Sequence, residues 1–226
     1  MAEQQQILAV QQALELAIEH HKADRLPEAE AIYQQLLRQD PNQADAIHML
    51  GVLAHQVGKN ELAVELITRA VNIRPNFAVA YCNLGLALQP LGKLEEAADC
   101  YQQAITIRQD YAEAHNSLGI LHQELQNYEE AVASYSKAIQ INPDFAEFHF
   151  NLGAVFQMLG DLDGALKQHR RALQIQPDYV DARYNLGLTL QNLGRIEEAI
   201  SSYREVLSLE PQYIEAMNII KRLYLI

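Results

Sequence analysis

Apolar residues in this chain recur at three- and four-residue steps, pause for two residues, and resume in the same rhythm. Leu152, Val155, Phe156 and Leu159 form one such stripe, and Leu162, Ala165, Leu166, His169, Ala172 and Leu173 form the next. Such steps place side chains on one face of an α-helix, so each stretch predicts a pair of helices. The pause is Gly160-Asp161, with Gly58-Lys59, Gly92-Lys93 and Gly194-Arg195 in equivalent places. Glycine there accepts the positive φ that ends a first helix. The pattern predicts helical hairpins and no strands.

The hairpins repeat with a 34-residue period. Prolines 41, 75, 143, 177 and 211 fall on it, with Gln109 holding the one vacant place. Counting back gives repeats 10–43, 44–77, 78–111, 112–145, 146–179 and 180–213, followed by 214–226. The eighth position reads Ala17, Gly51, Gly85, Gly119, Gly153 and Gly187. The twentieth is always alanine, from Ala29 to Ala199, and the twenty-fourth reads Tyr33, Ile67, Tyr101, Tyr135, His169 and Tyr203. Glycine inside a helix costs roughly 1 kcal/mol relative to alanine, so five at one position imply a close approach of the paired helices. Asn42, Asn76, Asp144 and Asp178 follow the prolines and are expected to cap the next helix. Pro90 is expected to kink the end of its helix, and Gln126 replaces the glycine between helices in the fourth repeat.

These residues carry a resemblance. Asn151-Leu152-Gly153 through Ala165, Ala172 and Pro177, and Asn185-Leu186-Gly187 through Ala199, Tyr203 and Pro211, resemble the tetratricopeptide repeat (TPR) family. The resemblance covers residues 10 to 226. It implies an all-α fold: one right-handed superhelical solenoid over 1–226, with six hairpins and a C-terminal capping helix. No hairpin buries both faces alone, so neighbours must stack. In the last helix Ala216, Met217, Ile220, Leu223 and Tyr224 share the inward face, and Lys221 stands where a glycine would admit a partner helix. Ile219, Leu225 and Ile226 add apolar surface beside it, which suits a monomer or a weak homodimer through this end.

Charge narrows the partners. Lys and Arg number 17 against 29 Asp and Glu, a net charge of −12. Such a surface disfavours nucleic acid and anionic membranes. No apolar run reaches the roughly 20 residues that span a bilayer, and Met1-Ala-Glu-Gln-Gln-Gln has no secretory pattern. Two cysteines, Cys82 and Cys100, build no disulfide framework. The address expected from these features is the cytoplasm.

Candidate chemistry is sparse. There is no phosphate-cradling glycine loop, His-Glu-x-x-His or Cys-x-x-Cys, so no catalytic residue, metal or cofactor is expected. His48 and His55 lie about 10.5 Å apart along one helix, too far for one ion. His115, His122 and His169 take inward positions and read as core packers.

The exposed side of each first helix carries positions 2, 5, 6, 9, 12 and 13. Position 6 reads Asn83, Ser117, Asn151 and Asn185, and position 12 reads Gln89, Gln123, Gln157 and Gln191. Position 5 adds Asn116, Phe150 and Tyr184. A ladder of amides both donates and accepts, so it suits the backbone of an extended peptide. At about 0.5–1.5 kcal/mol per bond, several rungs and the aromatic pair give roughly micromolar binding. A polar stripe is also what a merely solvated helix face presents. Position 2 is acidic in Asp45, Glu113, Glu147, Asp181 and Glu215. These carboxylates complement the helix dipole and would also favour a neutral to basic partner.

The asparagine row is similar to that in the TPR arm of the O-GlcNAc transferase family, which holds extended protein substrates. The match covers Asn83, Asn151 and Asn185 and is broken by Ser117. The resemblance therefore implies a non-catalytic protein-interaction scaffold. The alternative it implies is a substrate-presenting arm whose glycosyltransferase domain is absent here. Glu113 and Asp181 stand where another TPR subclass clamps C-terminal carboxylates with basic residues, so acidic tails should be repelled.

Overall fold

The computed structural model describes residues 2–223, and within them every regular element is helical. Two compact units are present, residues 1–109 and 110–226. The first holds three hairpins: α1 (Ala2–Lys22) with α2 (Leu26–Gln39), α3 (Ala44–Gln56) with α4 (Asn60–Ile73), and α5 (Ala78–Leu88) with α6 (Leu94–Ile107). The second holds α7 (Ala112–Glu124) with α8 (Tyr128–Ile141), α9 (Ala146–Met158) with α10 (Leu162–Ile175), and α11 (Val180–Asn192) with α12 (Ile196–Leu209), closed by α13 (Ile214–Leu223). The six hairpins and the terminal helix are those the period predicts.

The repeated glycines mark where paired helices touch. A Cβ on Gly187 would meet Cε1 of Tyr203 at 2.5 Å, and one on Gly119 would meet Tyr135 at 2.7 Å. The ring at position 24 therefore lies directly on the glycine, and not merely beside the contact. Ala29, Ala63, Ala97, Ala131, Ala165 and Ala199 are all fully buried. Tyr33, Tyr101, Tyr135 and Tyr203 are also among the largest fully buried side chains. Burying such rings is a leading favourable contribution to each hairpin.

Turns follow the glycine argument. Gly58, Gly92, Gly160 and Gly194 take φ between 71° and 80°, while Gln126 is held at 61° and Asp24 at 57° without being glycine. Pro90 sits in a short 3₁₀ turn, Gln89–Leu91, that ends α5 early. Its missing N–H and ring shorten the α-helical run without breaking the hairpin.

Two expectations change. The helices start one residue later than expected, so Asn76, Asp144 and Asp178 lie outside the capping position. Phe77, Phe145 and Tyr179 occupy it without a side-chain cap. In the second repeat Asn42 gives way to Gln43, whose side chain accepts from the Ala46 amide at 2.8 Å. The aromatics gain packing instead: Phe77 lies 4.8 Å from His48, Tyr179 5.1 Å from Phe150, and Tyr213 5.1 Å from Tyr184 between ring centroids. In α13, Ile219 is buried with Ala216 against Leu186, Leu190 and Tyr203, so it is a core residue and not a lateral patch. Ile214 is the exposed apolar residue there, and Lys221 faces solvent. Tyr224, Leu225 and Ile226 lie outside the described residues.

Candidate functional site

First helices lie beside one another within each unit, α3 next to α5 and α9 next to both α7 and α11. At 3.6 residues per turn, positions 12, 5, 9, 2, 13 and 6 of a first helix spread in that order over an arc of about 120°. The middle of this arc is open. Val79 and Leu86 on α5 and Ile120 and Met158 on α7 and α9 are exposed, as are the carboxylates Glu113, Glu147 and Asp181. Ala154 and Leu188 continue the row half-buried. The flanks are not open, and the sequence-selected residues are on the flanks. Asn116 and Ser117 are buried, a correction to their placement on an open face, while Asn83, Phe150, Asn151, Tyr184 and Asn185 and all four glutamines are half-buried.

The asparagines are engaged within the protein. Asn151 Nδ2 donates to Asn116 Oδ1 at 3.0 Å, which ties α9 to α7. Asn83 Nδ2 lies 2.8 Å from His48 Nε2, tying α5 to α3 in the same way. Burial holds the His48 pKa down near 4 against the opposing pull of Asp45, so the ring is neutral and accepts. By the period, the residue that corresponds to His48 and Asn116 for Asn185 is Phe150. A phenyl ring offers no such acceptor, and Asn185 instead donates to the Asp181 carbonyl at 2.9 Å. The row is thus a set of clasps, each asparagine spending one of its two Nδ2 donors inside the protein, and not an unengaged ladder.

The glutamines complement it. Tyr135 and Tyr203 hydroxyls donate to Gln123 Oε1 at 3.0 Å and Gln191 Oε1 at 3.2 Å, and Tyr101 donates to Gln89 in the same manner. A tyrosine buried against glycine needs an acceptor for its O–H, and position 12 of the same hairpin supplies it. The other repeats depart: position 12 is His21 in the first, and Ile67 and His169 replace the tyrosine in the second and fifth. His169 is fully buried, neither ring nitrogen has a hydrogen-bond partner, and burial lowers its pKa to about 4.

Every asparagine of position 6 thus uses Nδ2 inside the protein and keeps Oδ1 as an acceptor. Gln123 and Gln191 use Oε1 and keep Nε2 as a donor. One flank presents amide oxygens and the other amide nitrogens, and aliphatic and acidic side chains lie between. Sequence reasoning passed over the aliphatic row at position 9, though Val52, Leu86, Ile120, Ala154 and Leu188 could have been read off the period directly. It also passed over the aromatics at position 34, from Phe77 to Tyr213.

Other candidate groups are structural. Cys82 is buried, and burial with Asp99 and Glu96 nearby raises the Cys100 thiol to a pKa of about 11, which suppresses the reactive thiolate. His115 and His122 are half-buried, not fully enclosed as core packers would be. Among the described residues no His, Cys, Asp or Glu gather in a group able to hold a metal, and no helix is long and apolar enough to cross a membrane.

Family models described as tetratricopeptide or TPR repeats match residues 14–77, 90–126, 124–160, 158–194 and 180–213. No curated protein sequence matches the chain. Among solved structures, Pseudomonas aeruginosa pilF superposes with a TM-score of 0.84 at 17% identity, covering 95% of this chain and 97% of that one. YrrB, described as a TPR protein with an unusual peptide-binding site, gives 0.66 at 22% identity over 84% and 97%. A thermophilic TPR protein of Thermus thermophilus, TTC0263, gives 0.67 at 24% over 80% and 99%.

Proposed function

Because the chain belongs to the tetratricopeptide repeat family, we propose that it is a non-catalytic protein-interaction scaffold whose first-helix faces bind an extended peptide. The observation that carries this reading is the fixed polarity of the two amide rows. Asn151 and Asn185 offer Oδ1 to peptide N–H groups, and Gln123 and Gln191 offer Nε2 to peptide carbonyls. Amides already oriented by internal bonds lose little entropy when a ligand binds. Peptide side chains then rest on Ile120, Met158 and Leu188, and the exposed Glu113, Glu147 and Asp181 favour a neutral to basic partner. YrrB's described peptide-binding site is in keeping with such a role.

The test is selection of ten-residue peptides from a random library, followed by calorimetry. Ile120→Ser combined with Met158→Ser is expected to weaken the selected peptide by about tenfold or more without loss of helicity. Failure to select any peptide, or unchanged affinity in the double variant, would remove this reading. The substrate-presenting arm of an O-GlcNAc-transferase-like enzyme uses the same face, and adds a catalytic partner that copurification would reveal.

A further inference from the structure

One peptide side chain can be specified more closely. In the second repeat, the fork of Arg74 meets Asp45 through Nη2···Oδ1 at 2.6 Å and Nη1···Oδ2 at 3.2 Å. Its Cζ stands 3.5 Å from the centroid of the Phe77 ring. A carboxylate at position 2 and a ring at position 34 thus hold a guanidinium contributed by position 31. This combines a bidentate ion pair with a cation–π contact.

The fifth repeat keeps the notch and lacks the cation. Glu147 stands at position 2, Tyr179 at position 34, and position 31 is Gln176. The backbone there is the same: Gln176 has φ −128° and ψ 92°, against −129° and 86° at Arg74, and each residue follows the last turn of its second helix. Glu147, Gln176 and Tyr179 line one hollow of about 450 Å³ together with Asp144 and Phe145. Glu147 is exposed, while Asp144 bonds Arg171 at 2.8 Å. Burial, then the charges of Glu147 and Asp181, raise the Tyr179 hydroxyl to a pKa of about 12, which places negative charge close to the ring.

We infer that the hollow between Glu147 and Tyr179 is a subsite for the arginine side chain of a partner peptide, which takes the place that Arg74 fills in the second repeat. The inference rests on the peptide-scaffold reading and deepens it. The guanidinium pairs with the Glu147 carboxylate and stacks on Tyr179, with the Gln176 amide alongside. Arginine fits better than lysine, because a planar fork satisfies carboxylate and ring together.

The experiment titrates the full chain with acetyl-Gly-Gly-Arg-Gly-Gly-amide and with its citrulline and lysine counterparts, followed by amide chemical shifts. Shifts are expected at Glu147 and Tyr179, with the citrulline peptide weaker by about tenfold or more and the lysine peptide in between. Gln176→Arg is expected to fill the hollow from within and abolish these shifts, and Glu147→Gln to weaken them by at least about fivefold. Equal binding of the citrulline peptide, undiminished binding to Gln176→Arg, or shifts confined elsewhere would each overturn the subsite. Should a library-selected peptide lose affinity in the Ile120 and Met158 variant yet bind Gln176→Arg unchanged, the subsite falls and the scaffold reading stands.

Discussion

Asn151 reaches from one first helix to the next and donates to Asn116 Oδ1 at 3.0 Å. Asn116 is buried, so water is a poor substitute for its partner. Asn116→Ala is expected to lower stability by about 1–2 kcal/mol, because the Asn151 amide loses its acceptor. Asn116→Ala and Asn151→Ala together should cost less than the sum of the two, by about 0.5–1 kcal/mol. Urea titrations of the three variants measure this coupling, and strict additivity would show that the bond contributes nothing.

Gly187→Ala separates packing from helix propensity. Propensity alone predicts a gain of roughly 1 kcal/mol in a helix interior. The new methyl would stand 2.5 Å from the Tyr203 ring, which is itself fully buried. The expected net result is a loss of about 1–3 kcal/mol and a lower thermal midpoint. A gain in midpoint would mean that α11 and α12 separate more readily than their packing implies.

Gln126 is the reverse case. It holds φ 61° where four other hairpins have glycine. A side chain in that region costs about 1 kcal/mol, so Gln126→Gly is expected to raise stability by about that amount. Thermal unfolding checks the sign directly.

Acid should weaken the fold through two imidazoles. His48 and His169 have folded pKa values near 4, against 6.5 when exposed, chiefly because both are buried. Between pH 6.5 and 4 the unfolded chain therefore binds protons that the folded chain does not. Their contribution is fully present above about pH 6.5 and is lost as pH falls toward 4, up to about 3 kcal/mol each. Urea midpoints measured from pH 7 to pH 4 should decline. His169→Tyr should flatten that decline and raise the plateau, because the new hydroxyl finds Gln157 as Tyr203 finds Gln191. An equally steep decline in the variant would exclude His169 as a contributor.

Much of the fold was legible because packing repeats with the sequence. Gly187 and Tyr203 belong to two columns of the same period, and a column of glycine opposite a column of rings has one simple geometric meaning. The early end of α5 at Pro90 and the turns at Gly58 and Gly160 follow from backbone chemistry that needs no neighbours. The candidate face was legible only in outline. Asn151 was visible as a polar residue on a first helix, but its donor is taken by a residue 35 positions earlier, which depends on the spacing between stacked helices. Asp144 and Asp178 looked like caps because local composition cannot show that Phe145 and Tyr179 gain more by packing one residue further on. Ile219 looked lateral for a related reason: its burial is decided by where Leu186, Leu190 and Tyr203 stand, not by its own helix.

The two clasps, His48 with Asn83 and Asn116 with Asn151, are related by a shift of 68 residues. Excising residues 112–145 would bring Asn151 opposite Cys82, a poor acceptor. Excising 78–145 would bring it opposite His48 and restore an acceptor. Excising 146–179 alone would bring Asn185 opposite Asn116, so the cost of a lost hairpin is set by the acceptor it leaves at position 5 and not by length.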